Sequence, residues 1–180
     1  MCDDGGVDFT LDGGRAVLAR TPATLHALLA GLPEEWTNAD EGPGTWSPYQ
    51  VVGHMTHIEE CDWMSRTLRI LEEGGPNDFE PIDREAGFER FRGWSLETLL
   101  DHFAKVRSEN LENLDRRVSR DDLARIGVHP DFGDVTLSQL LATWVVHDFN
   151  HLDQIAKTMA KQYTQAIGPW REFLPIVDAP

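Results

Sequence analysis

Three histidines, His54, His147 and His151, are the residues of this chain whose type and spacing best suit chemistry. His147 and His151 are four residues apart, about one turn of an α-helix, so both imidazoles project from the same side. Both histidines belong to a stripe of residues spaced by three or four positions, which is the pattern of a helix face turned toward a core. The stripe consists of Leu140, Trp144, His147, His151 and Ile155. Two neighbouring buried imidazoles without partners lose hydration, whereas a shared divalent cation satisfies both. The pair alone leaves two interpretations open, a metal site or hydrogen-bonded core histidines.

A second helix must bring His54 to that pair, and its start is signalled by the sequence WSPYQ. Ser47 can cap the helix, Pro48 suits the first position because its missing N–H costs nothing there, and Gln50 completes a capping box. His54 then lies near the start of an inward-facing apolar stripe. His57 is one turn further and slightly rotated, and it is left open as a ligand, a donor to a ligand or a boundary residue.

Four helical patterns, at about 15–31, 48–73, 95–118 and 136–163, predict an all-α, up-and-down four-helix bundle. No segment shows a convincing strand alternation. Gly74, Gly75 and Pro76 are expected to end the second helix, and the long segment that follows is either a functional lid or a solvated connector. Ser95 is predicted to cap the third helix, whose apolar side is predicted to include Val106.

Length and charge limit the class of protein. The 180 residues fit a single domain, 1–180, with enough chain for a substantial core. A net charge of −15 argues against binding to nucleic acid, which requires a basic surface. The sequence has neither an apolar run of membrane-spanning length nor a basic and then hydrophobic N-terminus, so we expect a cytoplasmic protein without a membrane partner.

Cys2 and Cys61 form no disulfide framework, and Cys61 is expected to fill the core, with a minor redox or ligand role left open.

Several stretches resemble one subgroup of the DinB-like (YfiT-like) superfamily, bacterial four-helix metalloproteins, over essentially the whole chain. They are RTPATLHALLAGLPEEW, WSPYQVVGHMTHIEE, HPDFGDVTLSQLLATWVVHDFNHLDQIAK and IGPW. The resemblance implies that the ligand triad of the family falls on His54, His147 and His151. It also implies a homodimer formed through helix faces.

Three neutral imidazoles leave a divalent metal, Zn²⁺ or Ni²⁺ above all, its full charge and an open position. Similar members of the superfamily include transferases and isomerases that use low-molecular-weight thiols. The resemblance therefore implies a metal-dependent thiol S-transferase acting on a small-molecule substrate, with such a thiol as cosubstrate. A metal-dependent hydrolase and a noncatalytic metal-binding or sensing protein remain as alternatives, followed by a metal-free helical module.

Further polar residues lie near the predicted triad. Glu59 and Gln154 are geometrically plausible partners that would orient the imidazoles by hydrogen bonds. Asp148 points about 100 degrees away from His147 around the helix, so it is left open as a partner of the site or as a solvated or inter-subunit residue. His129 is expected to make a structural hydrogen bond. Trp144 is expected either to wall the metal cavity or to fill the core.

Overall fold

The computed structural model describes residues 7–73 and 79–178, and its helices form a four-helix bundle. The helices of the first part are α1 Leu11–Leu18, α2 Thr21–Leu29, α3 Glu34–Thr37, α4 Pro48–Cys61 and α5 Trp63–Glu73. The second part contains α6 Ala86–Arg90, α7 Leu96–Arg117, β1 Ile126–His129, β2 Gly133–Thr136 and α8 Leu137–Lys161. Short 3₁₀ helices cover Arg120–Ala124, Gly168–Phe173 and Pro175–Val177. The fold class is the one predicted from the sequence.

The starts of the two helices that carry the histidines are fixed by capping boxes. The Gln50 backbone N–H donates to Ser47 Oγ (3.3 Å), and Gln50 Oε1 accepts the Ser47 N–H (3.0 Å). Thr136 and Gln139 make the same reciprocal pair at the start of α8, at 3.1 and 2.8 Å. Each box satisfies two otherwise unpaired amide groups, so the register of the histidines on both helices is locally determined.

Two predicted helices are divided. The pattern at 15–31 becomes α1 and α2, with a turn before Thr21 and Pro22 in the first turn of α2. The pattern at 48–73 becomes α4 and α5, because the backbone leaves regular helical geometry at Asp62 (φ −110°, ψ −70°). The expected stop at residues 74–76 lies outside the described residues.

A two-stranded antiparallel sheet, absent from the sequence prediction, precedes α8, and it pairs Ile126 with Thr136 and His129 with Gly133. The hairpin is hydrogen-bonded to the segment that begins at Phe79, because the Phe79 N–H donates to the Val128 carbonyl oxygen (2.9 Å). A Cβ added at Gly127 would lie 2.7 Å from the Phe79 ring, so this close approach requires glycine.

The core has two apolar clusters along the bundle. One lies among α2, α4, α7 and α8 and includes Leu25, Val51, Val52, Leu99, Phe103 and Ile155. The other lies toward α5 and α8 and includes Ile58, Trp63, Leu111, Leu137 and Trp144. Cys61 is exposed, so the expectation that it fills the core is wrong: its helix turns that position to the surface just before the break at Asp62. Among the described helices, none is long and apolar enough to span a membrane.

Candidate metal centre

The three predicted histidines meet between α4 and α8. His147 Nε2 lies 3.3 Å from His54 Nε2 and 3.1 Å from His151 Nε2. His54 and His151 are 4% and 6% exposed, and His147 is partly buried. Two nitrogens bound to tetrahedral zinc at about 2.0–2.1 Å lie about 3.3 Å apart, so the spacing of these ring nitrogens suits a shared ion.

The outer nitrogens of two rings are held by hydrogen bonds. His54 Nδ1 donates to the Arg84 carbonyl oxygen, and His151 Nδ1 donates to Gln154 Oε1, each at 2.8 Å. Because both acceptors are oxygens, the ring hydrogen is on Nδ1 and each Nε2 carries a lone pair. Both lone pairs face His147 Nε2, which has at most one hydrogen to give. The cluster therefore has more inward acceptors than donors, and a cation satisfies this excess.

Burial keeps the imidazoles neutral. Burial, together with a smaller effect of the neighbouring histidines, lowers the pKa of His54 to about 4 and that of His147 to about 2. The pKa of His151 is also lowered by burial, with the Gln154 hydrogen bond opposing the change. Neutral imidazole is the form that binds metals, so protons compete little for these nitrogens near neutral pH.

The histidines open onto a cavity of about 540 Å³ with aromatic walls. The Trp46 ring centre lies 5.0 Å from that of His54, and the Trp63 ring centre lies 5.2 Å from that of His147. Trp144 is fully buried and stacks on Trp63 at 5.9 Å, so of the two expected roles it takes the core-filling one.

An ion pair of Asp62 and Arg66 lies in the same cavity wall, at 2.5 Å between Oδ1 and Nε. The Asp62 side chain is buried, and burial raises its pKa to about 6, although Arg66 favours the ionised form. A carboxyl group that titrates near neutral pH beside a cavity has the properties of a proton-transfer group.

The other residues singled out in the sequence have different surroundings. Gln154 accepts a hydrogen bond from His151. Glu59 instead accepts hydrogen bonds from Arg107, Asn110 and Trp144. Within the described residues, His57 is not part of the histidine cluster, and its Nε2 lies 3.6 Å from the Cys61 sulphur.

His129 lies in the cavity wall, where its Nδ1 accepts the Asp131 backbone N–H at 3.1 Å. This is a structural hydrogen bond of the kind predicted from the sequence.

The predicted homodimer and the predicted cytoplasmic location stay predictions.

A buried arginine network next to the histidines was not anticipated. Arg107, which is 1% exposed, donates to both carboxylate oxygens of Glu59 (2.8 and 2.9 Å) and of Asp148 (2.7 and 3.0 Å). It also donates to the Leu18 carbonyl oxygen (2.9 Å), and Thr21 Oγ1 donates to Asp148 (2.6 Å). The interpretation of Asp148 as solvated or inter-subunit is therefore wrong, because α7 supplies a buried cation opposite it.

Comparison with known proteins gives a family and a fold. The model of the DinB superfamily matches residues 18–155. YfiT from Bacillus subtilis, described as a probable metal-dependent hydrolase with an unusual four-helix bundle topology, is 20% identical, with 90% of this chain and 93% of YfiT covered and a TM-score of 0.73.

TT2238, described as a four-helix bundle protein, is 23% identical, with 82% of this chain and 98% of TT2238 covered and a TM-score of 0.56. A search of curated proteins gave no match. At these identities the two solved structures show a shared fold.

Proposed function

The chain belongs to the DinB superfamily, and we propose that it is a divalent-metal-dependent enzyme acting on a small organic molecule. The observation that carries the proposal is the convergence of three imidazole nitrogens on one point at a cavity wall. A purely structural metal site is usually closed by four protein ligands. The described residues bring three candidate ligands together here, which favours catalysis.

The proposed ligands are the Nε2 atoms of His54, His147 and His151, a set that suits Zn²⁺ or Ni²⁺. When bound, such an ion supplies a Lewis acid that lowers the pKa of a water or thiol at its open position. The Arg84 carbonyl and Gln154 fix two of the rings in the orientation that ligation needs.

Other residues in the walls of the cavity have separate proposed roles in the reaction. Trp46 and Trp63 pack beside His54 and His147 and exclude water from two sides of the cluster. Asp62 lines the same cavity, and its carboxylate is the group that we propose accepts a proton from the attacking nucleophile. Its pKa near 6 allows that carboxyl group to hold or release a proton at neutral pH.

Hydrolysis is the first reaction that we propose. YfiT, which shares the fold, is described as a probable metal-dependent hydrolase. Hydrolysis requires only water and one substrate in the cavity of about 540 Å³, a volume within the range of small-molecule sites.

Thiol S-transfer is the second reaction, and a neighbouring cavity favours it. This cavity has a volume of about 480 Å³ and shares Asp62, Arg66, Pro81 and Ile82 with the first. The two cavities together offer room for a low-molecular-weight thiol beside an electrophilic substrate.

Metal content tests the proposal first. Elemental analysis of wild-type protein reconstituted with Zn²⁺ or Ni²⁺ is expected to find about one ion per chain. His147→Ala is expected to lose the ion, whereas His26→Ala, at an exposed position on α2, is expected to keep it. Wild-type protein without bound metal after reconstitution would refute the proposal.

A substrate screen then separates the reactions. Metal-loaded wild type and His147→Ala are incubated with small esters and amides in water, and with electrophiles plus low-molecular-weight thiols. Turnover in water that needs His147 supports hydrolysis, and turnover that also needs the thiol supports S-transfer. Metal retention without turnover in either screen would favour the noncatalytic protein.

A further inference from the structure

Arg84 contributes two different groups to the histidine site. Its backbone carbonyl accepts the His54 Nδ1 hydrogen, and its exposed side chain lines the same cavity as the three histidines.

The guanidinium of Arg84 is available to a ligand, unlike that of the other arginine in this wall. Arg66 pairs with Asp62, donates to the Glu80 carbonyl oxygen (3.2 Å) and lies over the Phe79 ring at 4.9 Å. Among the side chains of residues 7–72 and 79–178, no carboxylate forms an ion pair with Arg84.

Part of the remaining wall suits an apolar ligand body. Trp46, Trp63, Pro81 and Ile82 supply apolar lining beside the polar side chains of Asp62, Asp131 and Asn150, and the volume of about 540 Å³ is that of a site for a small organic molecule. A planar guanidinium matches the geometry of carboxylate and phosphate groups and binds them through two parallel hydrogen bonds.

We propose that the cavity binds small organic anions with an apolar body and that the Arg84 side chain pairs with their carboxylate or phosphate group. The proposal rests on the proposed function, because it assigns the substrate class of the same site. It places the anionic group at Arg84, so that the rest of the molecule lies between the tryptophans and the histidines.

Calorimetric titration of Zn²⁺-loaded protein tests this assignment with three probes: benzoate, phenylphosphonate and the neutral benzamide. Wild type is expected to bind at least one of the anions more tightly than benzamide. Arg84→Gln is expected to weaken anion binding by about tenfold or more, as for loss of a charged hydrogen-bonding partner, and to leave benzamide binding unchanged. The tighter of the two anions identifies the carboxylate or the phosphate class.

Arg92→Gln is the matched control, since it makes the same charge change at an exposed arginine that pairs with Glu89 and lines a different cavity. It is expected to bind all three probes as wild type does. Arg84→Gln is expected to retain its zinc, because Arg84 reaches His54 through a backbone atom.

Three outcomes would overturn the assignment. Equal anion affinity in wild type and Arg84→Gln would mean that Arg84 does not hold the anion. Benzamide binding as tight as that of both anions would mean that the site does not select negatively charged ligands. Wild type that binds none of the probes would mean that the cavity is not a binding site for such molecules. Zinc content, measured on every sample, reports separately on the proposed function. Titration of metal-free protein tests Arg84 even when no metal binds.

Discussion

Helices α4 and α8 contribute to two polar sites that lie side by side. One is the arginine network, in which Arg107 of α7 pairs with Glu59 and Asp148, and the other is the histidine cluster. In the network, Arg107 makes five hydrogen bonds to oxygen atoms, so its donors are all used. In the cluster, ring nitrogens with lone pairs face one another. A buried polar group that is fully paired holds the fold, whereas convergent unpaired acceptors beside a cavity indicate a site for a ligand.

Removing the network cation should have the largest effect. Arg107→Met leaves Glu59 and Asp148 buried without their partner, and we expect a loss of about 3–5 kcal/mol in the free energy of unfolding. Chemical denaturation measures this loss, and Arg116→Met, at an exposed position of the same helix, serves as the control. A loss below about 1 kcal/mol, the size of a surface ion pair, would show that the network does not hold the bundle together.

A pH titration of stability tests the carboxyl group in the cavity wall. Burial raises the pKa of Asp62 from 3.8 to about 6, so the folded state keeps this proton to a higher pH than the unfolded state does. The unfolding free energy of wild type minus that of Asp62→Asn should therefore fall by up to about 3 kcal/mol as pH rises from 4 to 7.

The matched control for this titration is Asp153→Asn, at an exposed residue that pairs with Lys157. Its difference from wild type should change much less over the same range. A difference for Asp62→Asn that is flat or rises with pH would mean that Arg66 keeps the carboxylate ionised.

The smallest expected effect is a loss of metal affinity after the hydrogen-bond partner of one proposed ligand is removed. Gln154→Ala removes the acceptor of the His151 Nδ1 hydrogen, and we expect metal affinity to fall by about 10–100-fold without loss of the fold. Competition with a chelator measures the affinity, with Gln165→Ala, at an exposed position, as the control. Unchanged affinity would show that Gln154 does not orient the ring for metal binding.

The meeting of the histidines could be predicted from the sequence because the signals are local. The four-residue spacing of His147 and His151 places both on one face, and the capping boxes at Ser47 and Thr136 fix where each helix starts. The position of His54 on its helix follows from the same start signal. The family resemblance then connects the two helices.

The arginine network could not be predicted because its contacts join distant parts of the chain. Arg107 is 48 residues from Glu59 and 41 from Asp148. The prediction placed Val106 on the buried side of α7, whereas Val106 is partly buried and Arg107 lies inside. Glu59 was one possible partner of the histidines, and only the position of α7 shows that it binds Arg107 instead.

The hairpin was missed because each of its strands has four residues, shorter than a typical strand, and each includes a glycine. The break at Asp62 was missed because neither glycine nor proline marks it. The hairpin also packs against α5 and Phe79, since Gly127 lies close to Ile70 and to the Phe79 ring, and a reading of one helix at a time does not include such contacts.

The hydrogen bond from His54 to the Arg84 carbonyl has an evolutionary consequence. A main-chain oxygen is present whatever amino acid occupies position 84, so mutation there can exchange the side chain while the loop continues to orient the imidazole. Selection for a new ligand can therefore act on the side chain at this position without dismantling the ring geometry on which ion capture depends.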